Sequence, residues 1–256
     1  MIRQWILLRG LGRDKRHWGE FVSQFQQAFI HDKVTALDTC GNGDFVGLKS
    51  PLSIEQYTEH CRQQLETSSV EVHLVALSLG GMIALDWAHR YPQEVKSLTL
   101  INSSAANLTP WNRRIKFWAL AKLTIRTISQ STPESAEKSI LEMTSNLPLQ
   151  QQILACWTKY RCSHKTYLLN LIRQLIAASR FEAKQLPKLA PLVLTSKTDR
   201  LVNTIASKDL HRFLGGHIVE HLSAGHDLPL DDCVWVIKQI IKHIDMSQSC
   251  HQTVKY

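Results

Sequence analysis

The sequence predicts an α/β fold: a doubly wound, mainly parallel sheet of about six strands, interrupted by an all-helical insertion. Three observations carry this. Short apolar, β-rich runs alternate with helical patterns along most of the chain, as they do when helices cover both faces of a parallel sheet. Between about Ala106 and Leu186 the alternation stops and only helical patterning remains, over a length that no simple loop of a compact domain would have. A chain of 256 residues with 44% hydrophobic content and a mean hydropathy of −0.16 can bury one substantial core. The expected organisation is a core of residues 1–105 and 187–256 around a helical cap or lid of residues 106–186.

The elements follow in order. "WILL" (5–8) is a strand, and Trp18, Phe21, Val22 and Phe25 recur at helical spacing behind it. "KVTAL" (33–37) is a second strand, and "SIEQ" (53–56) reads as a capping box that opens a helix. "EVHLVAL" (71–77) is a third strand, followed by a helix from Gly80 to Tyr91 that Pro92 closes. "SLTLI" (97–101), "PLVLT" (191–195) and "HIVEHL" (217–222) complete six strands, and "VWVIKQIIKHI" (234–244) is the last helix. The polar end, "MSQSCHQTVKY", is expected to fray.

Several function classes are disfavoured. No apolar run approaches the roughly 20 residues of a membrane helix, and the stretch Trp5–Leu8 is too short for the core of a signal peptide. A cytoplasmic protein is expected. The six cysteines form no C-x-x-C pair, which argues for reduced thiols rather than a disulfide framework or a zinc site. His217 and His221 would share a face only on a helix. On the β-like run between Gly216 and Ser223 they stand about 13 Å apart and cannot chelate one ion.

Chemistry concentrates in "LVALSLGG" (74–81), where an apolar run halts at one serine among small residues. A sharp strand-to-helix turn would push the Ser78 hydroxyl out at the carboxyl edge of the sheet, and it closes only if residues two positions away are small, here Ala76 and Gly80. Taken alone, this A-x-S-x-G run suits a helix-capping serine equally well.

The wider stretch "VHLVALSLGGMIALDWAHRYPQEVKSLTLINSSA" closely resembles the α/β-hydrolase superfamily. So do "LLRGLGRDKRHW", "LDTCGNGD" (Asp38, Gly41 and Gly43), "APLVLTSKTDRLV" and "SAGHDLPLDD". The resemblance covers both flanks of the insertion and little within it. It implies that Ser78 is the nucleophile, Asp199 the orienting acid and His226 the base, in the chain order expected of that fold. It also implies an oxyanion hole from the backbone N–H groups of Leu11 and Leu79. Two departures stand out. Arg9 replaces the family's usual histidine, either as a structural hydrogen-bond donor, the reading favoured here, or to attract an anionic substrate. The first strand also begins almost at residue 4, so the sheet should be shortened, with residues 33–37 at one edge. Other carboxylates have plainer readings: Asp86 pairs with Arg90 one helical turn on, and Asp231 and Asp232 sit at the start of the last helix. Asp227 is the alternative acid.

These residues imply a serine hydrolase acting on a carboxylic ester or thioester through an acyl-enzyme, without cofactor or metal. Carbon–carbon bond hydrolases and cofactor-free haloperoxidases carry the same triad, and a binding protein on a hydrolase scaffold is the non-enzymatic alternative. Ser78 disfavours the relatives that use an aspartate nucleophile. From Trp111 to Gln185 twelve basic residues face four acids, a net +8 equal to that of the whole chain. Phe117, Trp118, Ala121, Ile125 and Ile128 share one helix face there. This charge is either a solvated face or a field that steers an anionic, carrier-linked acyl substrate; a membrane surface is a weaker option, and nucleic acid weaker still.

Overall fold

In a computed structural model, residues 3–65, 71–116, 132–186 and 188–253 are described. The strands are β1 (Gln4–Leu8), β2 (Lys33–Leu37), β3 (Val72–Leu77), β4 (Val95–Ile101), β5 (Leu192–Ser196) and β6 (His217–His221). They form one parallel sheet in the order β2-β1-β3-β4-β5-β6, with β2 at an edge as expected. Around it lie α1 (Glu20–Ala28), α2 (Ile54–Gln63), α3 (Leu79–Arg90), α4 (Trp111–Arg114), α5 (Pro133–Thr144), α6 (Gln151–Ser163), α7 (Leu168–Arg180), α8 (Thr204–Leu214), α9 (Leu228–Asp231) and α10 (Cys233–Thr253). Between β4 and β5 the described residues form helices only, apart from an isolated antiparallel bridge between Ile115 and Val202.

Alternate residues of each central strand enter separate cores. Ile6, Leu8, Leu74 and Ala76 join one cluster with α2 and α3, whereas Trp5, Leu7, Val75 and Leu77 join the other with α1 and α10. Burial on both faces is why these strands read as continuous apolar runs rather than as alternating ones. The register aligns the strand ends: Leu8 pairs with Ala76, Ala76 with Leu100 and Ile101 with Leu194. The residues that follow, Arg9, Ser78 and Asn102, therefore emerge together at the carboxyl edge, where open α/β sheets place their sites.

Local chemistry departs from expectation in a few places. Trp18 lies in a 3₁₀ turn (Lys15–Trp18), and Gly19 at φ 53° breaks the chain before α1 starts at Glu20. Ser53 has the extended backbone of an N-cap, but its side chain makes no capping bond, so the expected capping box does not form. β4 begins at Val95, two residues before the expected start, to continue its pairing with β3. His217 and His221 do lie on a strand, where they meet His243 and Asp232 respectively. The predicted lid helix carrying Phe117, Trp118, Ala121, Ile125 and Ile128 lies outside the described residues.

Candidate active site

Ser78 joins β3 to α3 with φ 56° and ψ −114°, one of two non-glycine residues at positive φ among those described. Its backbone is held on both sides. The Ser78 N–H donates to the Ile101 carbonyl at 2.9 Å, and the Ser103 hydroxyl donates to the Ser78 carbonyl at 2.9 Å. Strain of this kind persists only where the surroundings over-determine it. The turn also presses α3 against β1. A methyl on Gly80 would sit 2.3 Å from the Leu8 carbonyl oxygen and 2.7 Å from that of Arg9. Neither oxygen can withdraw without disturbing β1, so only glycine fits there. Ala76, two positions before the serine, is an ordinary buried strand residue whose methyl packs into the core.

Asp199 and His226 come together. Asp199 Oδ2 lies 2.7 Å from His226 Nδ1, and both residues are buried. The other carboxylate oxygen accepts from the N–H groups of Leu201 (2.7 Å) and Val202 (2.9 Å), which fixes its orientation. With a carboxylate acceptor at Nδ1, the ring proton resides there and Nε2 keeps a free lone pair. No hydrogen bond joins Ser78 to His226 among the described residues, but consecutive residues hold both. Asn102 Nδ2 donates to the His226 carbonyl at 2.9 Å, beside Ser103, which grips Ser78. Leu11 and Leu79 have no acceptor for their N–H groups among the described residues, and Leu79 opens α3, where the helix dipole favours negative charge.

The family described as "Serine aminopeptidase, S33" matches residues 6–227, both flanks of the insertion included. The chain belongs to that family. It is an α/β hydrolase. It is 25% identical over 251 residues to the biotin biosynthesis bifunctional protein BioHC of Teredinibacter turnerae, covering 88% of this chain and 41% of that protein. The chain spans between 28% and 41% of the length of the curated relatives it matches. Among solved structures, the enol-lactonase of Burkholderia xenovorans superposes with a TM-score of 0.75 at 18% identity, covering 96% of this chain and 92% of that one. The esterase of Exiguobacterium antarcticum gives 0.74 at 15%, with 95% and 92% covered. These two likenesses show the shared fold.

Arg9, the departure read from sequence, has a structural partner that sequence reasoning did not pair with it. Arg9 Nη1 and Nη2 meet Asp227 Oδ1 and Oδ2 at 3.0 and 2.5 Å, a bidentate ion pair with both side chains buried. The guanidinium also lies 4.9 Å from the centre of the Trp18 ring. Arg9 thus makes the structural bond favoured from sequence, and Asp227, the alternative acid, has both oxygens committed to it. Asp231 does not serve the last helix. It accepts from Ser145 Oγ (2.5 Å), Asn146 N (2.9 Å) and Gly225 N (2.6 Å), bracing the histidine loop against the end of α5, while Asp232 accepts from Trp235 N at 3.0 Å and caps α10. The Asp86–Arg90 pair forms as expected at 3.0 Å.

Sequence reasoning also missed Asn102. Its φ of 46° and its bonds to Ser196 N (2.8 Å), Ser196 Oγ (3.0 Å) and the His226 carbonyl make it the junction between β4, β5 and the histidine loop. The available signal was a polar residue just after the apolar run "SLTLI".

Replacing Arg9 by methionine should leave the Asp227 carboxylate buried and unpaired, lowering stability in urea unfolding by about 3–5 kcal/mol. Arg9→Met combined with Asp227→Leu should recover most of that loss, because no lone charge then remains. Equal losses in the single and double variants would show that the pair is not what matters.

Proposed function

We propose that this hydrolase cleaves a carboxylic ester or thioester through an acyl-enzyme on Ser78. The observation that carries the reading is the buried 2.7 Å Asp199–His226 pair at the strand edge where the strained Ser78 turn emerges. In this reading the Ser78 oxygen attacks the acyl carbonyl carbon as His226 Nε2 takes its proton. The charge that develops on the carbonyl oxygen falls to the N–H groups of Leu11 and Leu79. Such preorganised donors are each worth roughly 3 kcal/mol in the transition state. Collapse expels the alcohol or thiol, protonated by His226. Water, deprotonated by the same imidazole, then releases the acid and restores the serine. The absence of a Ser78–His226 bond is compatible with this order of events, since such bonds often tighten only once substrate is bound. An esterase and an enol-lactonase among the structural neighbours fit the same substrate class.

The insertion of residues 106–186 serves as the lid in this proposal, and its charge favours an anionic acyl substrate. Arg113, Lys116, Lys138, Lys159, Lys165, Arg180 and Lys184 are all exposed, whereas Glu137, one of only four acids, is buried against Arg13 and Arg161. Arg114 is buried as well, so the outward charge keeps the basic excess that the composition indicates.

Ser78→Ala should lower turnover by on the order of 10⁴ or more with the fold intact, and a serine-directed phosphonate should label wild type alone. Labelling at Ser103 or Ser104 would overturn the assignment.

His226 supplies the pH dependence. Burial pushes its pKa down, but the charge and hydrogen bond of Asp199, with the charge of Asp227, outweigh burial and the opposing Arg9 and hold it above the ordinary histidine value. The base must be neutral, so kcat/KM should rise with pH through that elevated pKa. Asp199→Asn should cost on the order of 10⁴ and move the inflection to lower pH. A mild loss with an unmoved inflection would transfer the acid role elsewhere.

Screening acts beyond about 8 Å at physiological salt. For a coenzyme A thioester, kcat/KM should therefore fall several-fold between low and moderate salt, while that for p-nitrophenyl acetate stays flat. Equal dependence for both would reduce the lid's charge to a solvated face.

A further inference from the structure

Gln174, on the inserted helix α7, reaches the loop that carries the proposed oxyanion donor Leu11. It is fully buried, and its Oε1 accepts the Gly12 N–H at 2.8 Å. Its Nε2 points the other way, toward Asn42 Oδ1 at 3.2 Å and Ser50 Oγ at 3.3 Å. A backbone N–H can only donate, so the amide's orientation is unambiguous.

Gly10 to Arg13 form a tight turn in which the Arg13 N–H donates to the Gly10 carbonyl at 3.3 Å, and Gly12 has φ +65°. The bond to Gln174 therefore falls on the central peptide of this turn, the Leu11–Gly12 unit. Turns of types I and II differ mainly in the direction of that peptide plane, and an acceptor at its N–H selects one of them. Leu171, one helical turn before Gln174, closes the other side: a methyl on Gly12 would lie 2.5 Å from Leu171 Cδ2. At the start of the turn, a methyl on Gly10 would lie 3.2 Å from Ser78 Cβ. The turn is thus pinned between the serine and α7, and the unclaimed Leu11 N–H belongs to its first peptide, Gly10–Leu11, whose carbonyl accepts the Arg13 N–H.

We infer that Gln174 is a positioning residue for the reaction: from α7 it holds the Leu11–Gly12 peptide and so keeps the turn closed, and the Arg13-to-Gly10 bond of that turn orients the neighbouring Gly10–Leu11 peptide, whose N–H is the proposed oxyanion donor. The inference rests on the acyl-enzyme reading above. It makes part of the catalytic power depend on the insertion being docked, not only on the sheet. Gln174 touches no reacting atom. Its effect should appear in the transition state and not in substrate binding.

Gln174→Met keeps the volume and removes the acceptor. With p-nitrophenyl acetate it should lower kcat by roughly 10-fold or more while KM changes little, and weaken phenylboronic acid, a tetrahedral mimic, by a similar factor. Gln174→Glu, protonated in so buried a site, offers the same acceptor and a donor, and should restore most of the loss. If the methionine variant fails to fold, Gln174→Asn, whose amide is too short to reach the Gly12 N–H, replaces it, and the same loss of kcat and boronate affinity is expected, with wild-type values overturning the inference. Asn170→Ala removes a different dock of the same helix, its bonds to Leu48 O and Ser50 N (3.0 and 2.9 Å), and should lower the Tm while leaving kcat near wild type. Wild-type kcat in Gln174→Met, or an equal loss in Asn170→Ala, would overturn the inference. An active Ser78→Ala would instead overturn the acyl-enzyme reading beneath it.

Discussion

The site depends on a backbone-to-backbone approach. Where α3 leaves β3, Gly80 lies so close to the carbonyl oxygens of Leu8 and Arg9 that no side chain fits between them. That contact brings the end of β1 against the start of α3, which places the Leu11 and Leu79 N–H groups on neighbouring segments. The sheet supplies the rest of the geometry, because its parallel register brings β1, β3, β4 and β5 to a common edge. A positive φ at Ser78 is tolerable because Ile101 at the end of β4 and Ser103 just beyond it hold the turn on both sides.

Loops leaving such an edge are not rigid in themselves, and the inserted segment braces each of those that matter. The loop after β1 is tied to α5 and α6 by Arg13–Glu137 at 2.7 Å and Arg161–Glu137 at 2.8 Å, and to α7 by Gln174. The Asp199 loop receives the Lys116 ammonium on its carbonyl at 2.5 Å and the Ile115–Val202 bridge beside it. The histidine loop meets the end of α5 through Thr144, which accepts the Asp227 N–H at 2.8 Å, and through Asp231. An insertion with so many polar contacts is docked in one register, because a shifted one would leave buried donors and charges unpaired.

Buried ion pairs recur at these junctions and stabilise less than their distances suggest, since each charge must first be stripped of water. They also tie specific segments together. Arg9–Asp227 joins the first strand's loop to the residue after His226, and Arg13–Glu137–Arg161 joins the same loop to two inserted helices. Breaking one member costs more than the pair contributes. The His17 imidazole, buried beside Arg13 and against the Trp157 and Tyr160 rings, is held below its ordinary pKa chiefly by burial, with the Arg13 charge adding to it.

The sequence by itself determined the sheet and the helical stretch between β4 and β5, and it proposed the short list of chemical residues. Apolar runs such as "LVAL", glycines near Ser78, and the spacing of Asp199 and His226 are local signals, and the strands follow them within two residues. Capping at Ser53 and the continuity of the first helix through Trp18 were misread, because a single hydrogen bond or one glycine at positive φ decides each. Tertiary structure decided which polar groups meet. Arg9 and Asp227 are separated by 218 positions, Gly12 and Gln174 by 162, and Asn102 and His226 by 124. No periodicity encodes such pairs. Each forms because parallel strands deliver distant segments to one edge, where a buried polar group must find whatever partner the fold has brought beside it.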